Sequence, residues 1–259
     1  MSIYRLAAIS AISRAEFNKI ESYAIHYDWN LAFSGKSRGN EHLARTVRLV
    51  RKLWEEVHAG EKPMEDDRSK EELDVAVAAA LLHDIGLVHG NKGHCFAGRK
   101  IAERILDHIG IKRSLTERIL HCIMAHDGEI PAVSNEAKLV HDADTIDKLG
   151  PLGAIRHIWK ISLLGDKRYS WKEYREFIPE HLGWRYDKLY FDESKRYADR
   201  LDDARAKMFS DTATFEQLVD IVVNSAENGI PVDELLHVLL EKLPLDDDIK
   251  KTIKEQIAV

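Results

Sequence analysis

Proline and glycine are scarce in this chain, and the strict alternation that marks β-strands is nearly absent. Of 259 residues, six are Pro and 14 are Gly, so few positions interrupt a helix. Apolar side chains instead recur at helical spacing, as at Leu43, Val47, Val50, Trp54 and Val57. The sequence therefore predicts an all-α protein, and its 44% apolar residues are enough for a sizeable core.

Cysteines and long apolar runs are also few. Cys95 and Cys122 are the only two cysteines, and their spacing is that of neither a metal site nor a disulfide framework. The segment LAAISAIS near the N-terminus is too short and too polar for a signal sequence. No other stretch approaches the roughly 20 apolar residues of a membrane span. We therefore expect a cytoplasmic protein with no membrane partner.

An excess of positive charge is missing too. The chain has 38 Lys and Arg against 44 Asp and Glu, which gives a formal net charge of −6. Dedicated nucleic-acid binders carry a basic excess that neutralises backbone phosphates. The composition therefore disfavours a nucleic-acid partner.

Periodicity and capping residues place the expected elements along the chain. Helices are predicted over residues 14–26, 43–57, 71–85, 95–109, 113–126, 136–149, 151–164, 190–209, 214–228, 231–242 and 246–257. Residues 60–70 read as a charged loop, and 165–186 mix aromatic and charged residues as in a surface connection or a flap. We expect a core over 1–210 and a helical extension over 211–259. The expected role of the extension is packing or contact with a second copy of the chain, as in a homo-oligomer.

The segment AVAAALLHDIG, residues 76–86, is an almost purely apolar helix that ends in His83 and Asp84. Asp84 falls on the same helical face as Val77 and Leu81, so it is expected to point toward the core. A buried charge needs a paired charge or a metal ion. The segment therefore raises the question of which other residues supply its partner.

Further inward-facing polar residues come from other predicted helices. His126 shares a stripe with Ile119, whereas His121 falls off it and is expected at the rim. His94 and His42 each stand at the start of a helix. The segment KLVHDADTIDKLG, residues 138–150, holds three further carboxylates, Asp142, Asp144 and Asp147. A surface pair of Asp144 with Lys148 is the alternative reading.

The order His42, His83-Asp84, Asp144 resembles the H…HD…D signature of the HD-domain superfamily of metal-dependent phosphohydrolases. LLHDIG and DADTIDKLG are similar to the family's local motifs, and the resemblance covers residues 38–165. It implies an HD-domain helical bundle in which the metal ligands are His42, His83, Asp84 and Asp144, with Asp142 as a neighbour. Imidazoles with carboxylates suit Mn, Fe, Co, Ni or Zn better than Mg or Ca.

The resemblance extends to His94, which with Gly98 matches H-x-x-x-[GS], and to His126 in AHDG. These two imidazoles are expected either to hold a second metal, bridged to the first by Asp84, or to neutralise phosphate oxygens around a single ion. The implied activity is hydrolysis of a nucleotide or another small phosphoester by a metal-activated water. Candidate phosphate contacts are Arg45, Lys92 and Lys148, and the candidate general base is Asp147; for each cation a solvated surface role is the alternative.

Two departures from related families shape the alternatives. The chain reads AHDGEIP where cyclic-dinucleotide phosphodiesterases carry G-Y-P and a His-His pair, and Leu87 follows HDIG where a Lys is usual. These differences disfavour cyclic dinucleotides as substrates. The six-residue set is also similar to that of the di-iron HD oxygenases, which leaves an O₂-using enzyme as an alternative. A regulatory HD module that binds a nucleotide without turnover is the third reading.

Overall fold

The computed structural model describes residues 11–36, 41–59, 67–165 and 167–258. Across these residues the chain forms twelve α-helices and no strand, which confirms the all-α prediction. The α-helices are α1 Arg14–His26, α2 His42–Val57, α3 Asp67–Leu82, α4 His94–Ile109, α5 Arg113–Ala125, α6 Asn135–Asp147, α7 Gly150–Leu164, α8 Trp171–Tyr186, α9 Asp192–Ser210, α10 Thr212–Glu227, α11 Val232–Lys242 and α12 Asp247–Ala258. Every helix predicted from periodicity is present, and α8 is additional. Most of the predicted 60–70 loop lies outside the described residues.

The described residues divide into two compact units: the first comprises residues 11–36 and 42–144, and the second comprises Glu41 and the described residues from Thr145 onward. Helix α3 is central to the first unit, because it packs against α1, α2 and α5. Every side chain from Val75 to Leu82 is buried, four of them alanines. Small side chains let neighbouring helices approach closely on all sides of α3. The expectation that this alanine-rich helix lies deep in a bundle is confirmed.

The second unit is organised around α7, which packs against α9, α10 and α12. The side chain of Gln256 in α12 donates to the carbonyl of Leu149 at 3.0 Å and accepts the N–H of Leu152 at 3.1 Å. Residues 211–258 therefore belong to the same compact unit as residues 145–210. The expected boundary after residue 210 does not coincide with the division after Asp144.

The segment 165–186 is more regular than the sequence indicated, because α8 occupies most of it. Ser170 and Glu173 form a reciprocal capping box at its start. Tyr174, Ile178 and Leu182 follow at intervals of four residues and are all buried. The expectation of an irregular segment was wrong, since this single apolar stripe is enough to hold a helix. The reading of the segment as a flap stays a prediction.

No single helix in the described part of the chain is long and apolar enough to cross a membrane. Residues Arg68–His89 taken together with His94–Ile109 reach that length and composition, but the pair is bent by 116°.

The turn after α3 lies unusually close to α4. Helix α3 ends at Leu82 rather than at residue 85 as predicted, and a 3-10 helix, Ile85–His89, follows His83 and Asp84. A Cβ atom placed on Gly86 would lie 1.9 Å from the carbonyl oxygen of His94 and 2.6 Å from the amide nitrogen of Gly98. Only glycine therefore permits this approach, which brings the first residue of α4 beside Asp84.

Replacing Gly86 tests this close approach. We expect Gly86→Ala to lower the free energy of unfolding by about 3 kcal/mol, at the upper end of typical overpacking costs, because the added methyl meets backbone atoms that cannot rotate away. Gly98→Ala should cost less, because its Cβ would meet its nearest neighbour at 3.3 Å. Denaturant unfolding of the variants measures both values.

The matched control is Gly183→Ala, on α8, where an added Cβ meets nothing within 4 Å. Its stability should stay level or rise by about 0.5–1 kcal/mol, since alanine favours a helix. Equal stability of the Gly86 and Gly183 variants would contradict the packing described for the turn.

Candidate metal centre

Six side chains from five separate segments of the first unit converge on one point. They are His42 at the start of α2, His83 and Asp84 in the turn after α3, His94 at the start of α4, His126 directly after α5, and Asp144 in α6. These are the six residues predicted as ligands from the sequence. The structure brings them together, and their role as ligands stays a prediction.

The first group of donors surrounds Asp144. Its Oδ1 atom lies 3.0 Å from Nε2 of His42 and 3.5 Å from Nε2 of His83. The two Nε2 atoms are 3.2 Å apart. Three donor atoms of the kinds that bind divalent transition metals are thus within reach of a single ion.

A second pair of imidazoles lies on the other side of Asp84. The Nε2 atoms of His94 and His126 are 2.9 Å apart. Oδ1 of Asp84 lies 3.4 and 3.6 Å from them, whereas Oδ2 lies 3.6 Å from His42 and 3.5 Å from His83. Each oxygen of this one carboxylate faces a different histidine pair. That is the arrangement of a carboxylate able to bridge two metal positions.

The backbone fixes which ring nitrogen faces the centre. In His83, His94 and His126, Nδ1 lies 2.7–2.9 Å from the carbonyl oxygen of the residue three positions earlier. A carbonyl only accepts, so Nδ1 must carry the hydrogen. The hydroxyl of Thr46 donates to the carbonyl of His42, and its oxygen lies 3.4 Å from Nδ1 of the same residue, where it can accept. All four Nε2 atoms therefore present lone pairs.

This tautomer pattern fits a metal ion. Lone pairs that face one another at 2.9–3.2 Å cannot form a hydrogen bond and repel. A cation among them converts that repulsion into coordination. Histidine ligands of metals characteristically donate their other nitrogen to a carbonyl or carboxylate, as these rings do.

Burial favours the neutral form of His126, the form that ligation requires. His83 and His126 are fully buried. Burial lowers the pKa of His126, the His83 ring lowers it further, and the carboxylates of Asp84 and Asp144 oppose this. Asp84 and His94 are the most accessible members, with 13% and 12% of their side chains exposed. The centre is therefore open on the side of Asp84 and His94.

The remaining predicted residues have other surroundings. Asp147 forms an ion pair with Arg156, whose guanidinium also donates to the Asp147 carbonyl at 3.0 Å. Arg45 is buried at 1% exposure, and Lys92 is exposed in the turn before α4. Lys148 follows α6, half-buried, in the second unit.

Two arrangements were not anticipated from the sequence. His141 and Asp142 are buried neighbours, with His141 Nδ1 3.0 Å from an Asp142 oxygen. Cys95 lies close to Asp127 and Glu129. Burial, reinforced by Asp127, raises the pKa of the Cys95 thiol to about 11, so it stays protonated near neutral pH. The sequence signal for the group of Cys95, Asp127 and Glu129 was the second carboxylate, Glu129, that follows His126 in AHDGE.

The first unit is thus an all-helical fold that gathers four histidines and two aspartates into a candidate metal centre. Residues 40–149, about two fifths of the chain, match the family model of the HD domain, in agreement with the resemblance of the sequence motifs. That domain implies binding of a divalent metal, and the cluster of His and Asp residues described above could hold one. Comparison with curated proteins found no match. A crystal structure of a Lactobacillus plantarum protein is similar in fold, with 20% identity and a TM-score of 0.56 over 77% of this chain and 95% of that one.

Asp84 and Asp142 make a matched pair for testing the centre. Asp84→Asn removes the charge that faces both histidine pairs. We expect its affinity for Mn²⁺ to fall by more than 10- to 100-fold (about 1.4–2.8 kcal/mol), the loss that is typical when a residue hydrogen-bonded to a metal ligand is replaced. Asp142→Asn should bind Mn²⁺ nearly as the parent does, because Asp142 contacts His141 instead. Titration calorimetry measures both affinities, and equal or reversed losses would show that the centre is assigned to the wrong carboxylate.

Proposed function

We propose that this protein is a metal-dependent phosphohydrolase that cleaves a nucleotide or another small phosphoester. The observation that carries the proposal is the position of Asp84, whose two oxygens face two pairs of histidines with inward lone pairs. A divalent metal bound there would lower the pKa of a bound water toward about 7 and polarise a phosphoryl oxygen. The match to the HD-domain model supports the hydrolase class.

The protein's own residues would orient and admit the substrate. His83 and His126 are enclosed, so they hold the centre rather than meet the substrate. The accessible edge at Asp84 and His94 is where a phosphoester would enter. Lys92 is exposed two residues before His94 and is the proposed phosphate contact at this edge.

Arg45 and Asp147 fit this scheme less directly. Arg45 follows His42 by one turn of α2 and is almost completely buried. Arg45 would therefore act on a phosphate indirectly, through its effect on the shape and charge of the metal centre. Asp147 forms an ion pair with Arg156. We retain it as the proposed general base, and its ion pair supports a positioning role as well.

The second candidate is an oxygenase with two iron ions. The observation that favours it is the position of Asp84 between two histidine pairs, His42 with His83 and His94 with His126. Two ions could be held close together there. A regulatory module that binds a nucleotide without turnover is the third candidate. Dependence on O₂ separates the first two candidates, and turnover separates both from the third.

The deciding experiment is a phosphoester panel under anaerobic conditions. We expect protein loaded with Mn²⁺ or redox-inert Zn²⁺ to release phosphate or a nucleoside from at least one nucleotide. Activity should fall by about 100-fold or more (roughly 2.8 kcal/mol) in His126→Ala, because a fully buried donor is lost.

His121→Ala is the control, because His121 lies outside the centre and its Nε2 accepts only a long 3.4 Å hydrogen bond from Val133. It should behave as the parent does. Inactivity across the panel together with substrate-linked O₂ uptake by the iron-loaded protein would favour the oxygenase. Nucleotide binding with neither activity would favour the regulatory module.

A further inference from the structure

A partly open cavity of about 290 Å³ lies between α1 and α4 in the first unit, and none of its lining residues belongs to the metal centre. We call it the α1–α4 cavity. One wall is formed by Tyr23 of α1 and by Tyr27, directly after that helix. The other wall comes from α4 and comprises Ile101, Arg104, Ile105 and His108.

The lining of the cavity combines aromatic and aliphatic surface. Tyr23 and Tyr27 are both half-buried and lie four residues apart, so both side chains face the cavity from the same side of the chain. Ile101 and Ile105 are likewise four residues apart on α4, and Ile105 is buried. Tyrosine rings and branched aliphatic side chains together form the kind of lining that receives a flat ring in ligand sites.

The polar ends of the lining residues are not engaged by the described part of the chain. Neither tyrosine hydroxyl, nor the His108 ring, nor the Arg104 guanidinium forms a hydrogen bond or an ion pair with another described residue. Of the two acidic residues within one turn of α4, Glu103 pairs with Arg113 at 2.9 Å. The other, Asp107, forms no ion pair with Arg104. The guanidinium therefore brings to the cavity a positive charge that no described carboxylate pairs with.

We propose that the α1–α4 cavity binds a small molecule in which a flat ring carries an anionic group. The guanidinium can donate two parallel hydrogen bonds to a carboxylate or a phosphate, and the tyrosine hydroxyls are further donors. The tyrosine rings and the isoleucines would cover the flat ring. Ligand pockets typically measure about 300–1,000 Å³, so this cavity suits a molecule no larger than a mononucleotide. Nucleoside monophosphates and aromatic carboxylic acids share this chemistry.

The α1–α4 cavity is separate from the metal centre. His94 begins α4, and Ile101 and His108 follow it by 7 and 14 residues. At about 1.5 Å per residue these two positions lie roughly 10 and 21 Å further along the helix axis. A molecule bound in the cavity therefore does not have to occupy the metal centre, and the proposal does not rest on hydrolysis there.

The test is titration calorimetry of the full-length protein, as the parent and as Asp84→Asn, which weakens the metal centre. We expect AMP or benzoate, each a ring with an anionic group, to bind both proteins saturably. Adenosine and inorganic phosphate each supply one of the two parts and should bind Asp84→Asn at least about tenfold more weakly.

The probes distinguish the sources of the ligand. Binding of both AMP and benzoate would support the shared chemistry, binding of AMP alone a nucleoside monophosphate, and binding of benzoate alone an aromatic acid. Binding of neither would overturn the proposal. So would binding that Asp84→Asn loses, since that result places the probe at the metal centre.

Further variants locate the site on the molecule, and helical circular dichroism checks that each is folded. Arg104→Gln should weaken binding about tenfold, as expected for the loss of a charge-assisted hydrogen bond. Ile101→Trp should abolish binding, because the larger side chain fills the cavity and leaves its charge unchanged. Lys100→Gln is the matched control, since Lys100 is exposed on α4 one turn before Arg104 and does not line the cavity.

Two outcomes with these variants would contradict the proposal. Equal losses of affinity in the Lys100 and Arg104 variants would indicate general charge attraction rather than a site. Unchanged binding in folded Ile101→Trp protein would show that the ligand lies elsewhere.

Discussion

The first unit depends on how two ionisable groups are accommodated at the end of a buried apolar helix. His83 is fully enclosed and Asp84 nearly so, directly after eight buried apolar residues of α3. Such groups are costly to bury unless opposite charges or a cation compensate them. The starts of α2 and α4, the end of α5 and the middle of α6 all bring donors to this point. Local backbone carbonyls then fix the orientation of His83, His94 and His126, and the Thr46 hydroxyl lies against the ring of His42.

The fold and the six converging residues were accessible from the sequence because each rests on a local pattern. Apolar periodicity marked α2, α3 and α5, and it correctly placed His126 inward on the stripe of Ile119. His83 and Asp84 were conspicuous because they interrupt an alanine-rich run. The ordered motifs then tied these residues to His42 and Asp144, which periodicity alone could not have done.

The rest depended on contacts between residues distant in sequence. No local pattern indicates that Gly86 must lack a side chain, since the reason is the backbone of α4. The sequence predicted Asp147 as a candidate base but did not indicate its ion pair with Arg156, nine residues later. Helix α8 was missed because its three buried residues are separated by charged ones and because Pro179 lies within it.

The hydrogen bonds of Gln256 bear on the order of events during synthesis. This side chain forms hydrogen bonds with the carbonyl of Leu149 and the N–H of Leu152, which lie 107 and 104 residues earlier in the chain. At typical elongation rates the first turn of α7 would leave the ribosome roughly 5 to 20 s before its partner is made. Until then these peptide groups must stay hydrated, and α7 cannot settle into its final packing. The second unit is therefore completed only after nearly all of the sequence shown has been translated.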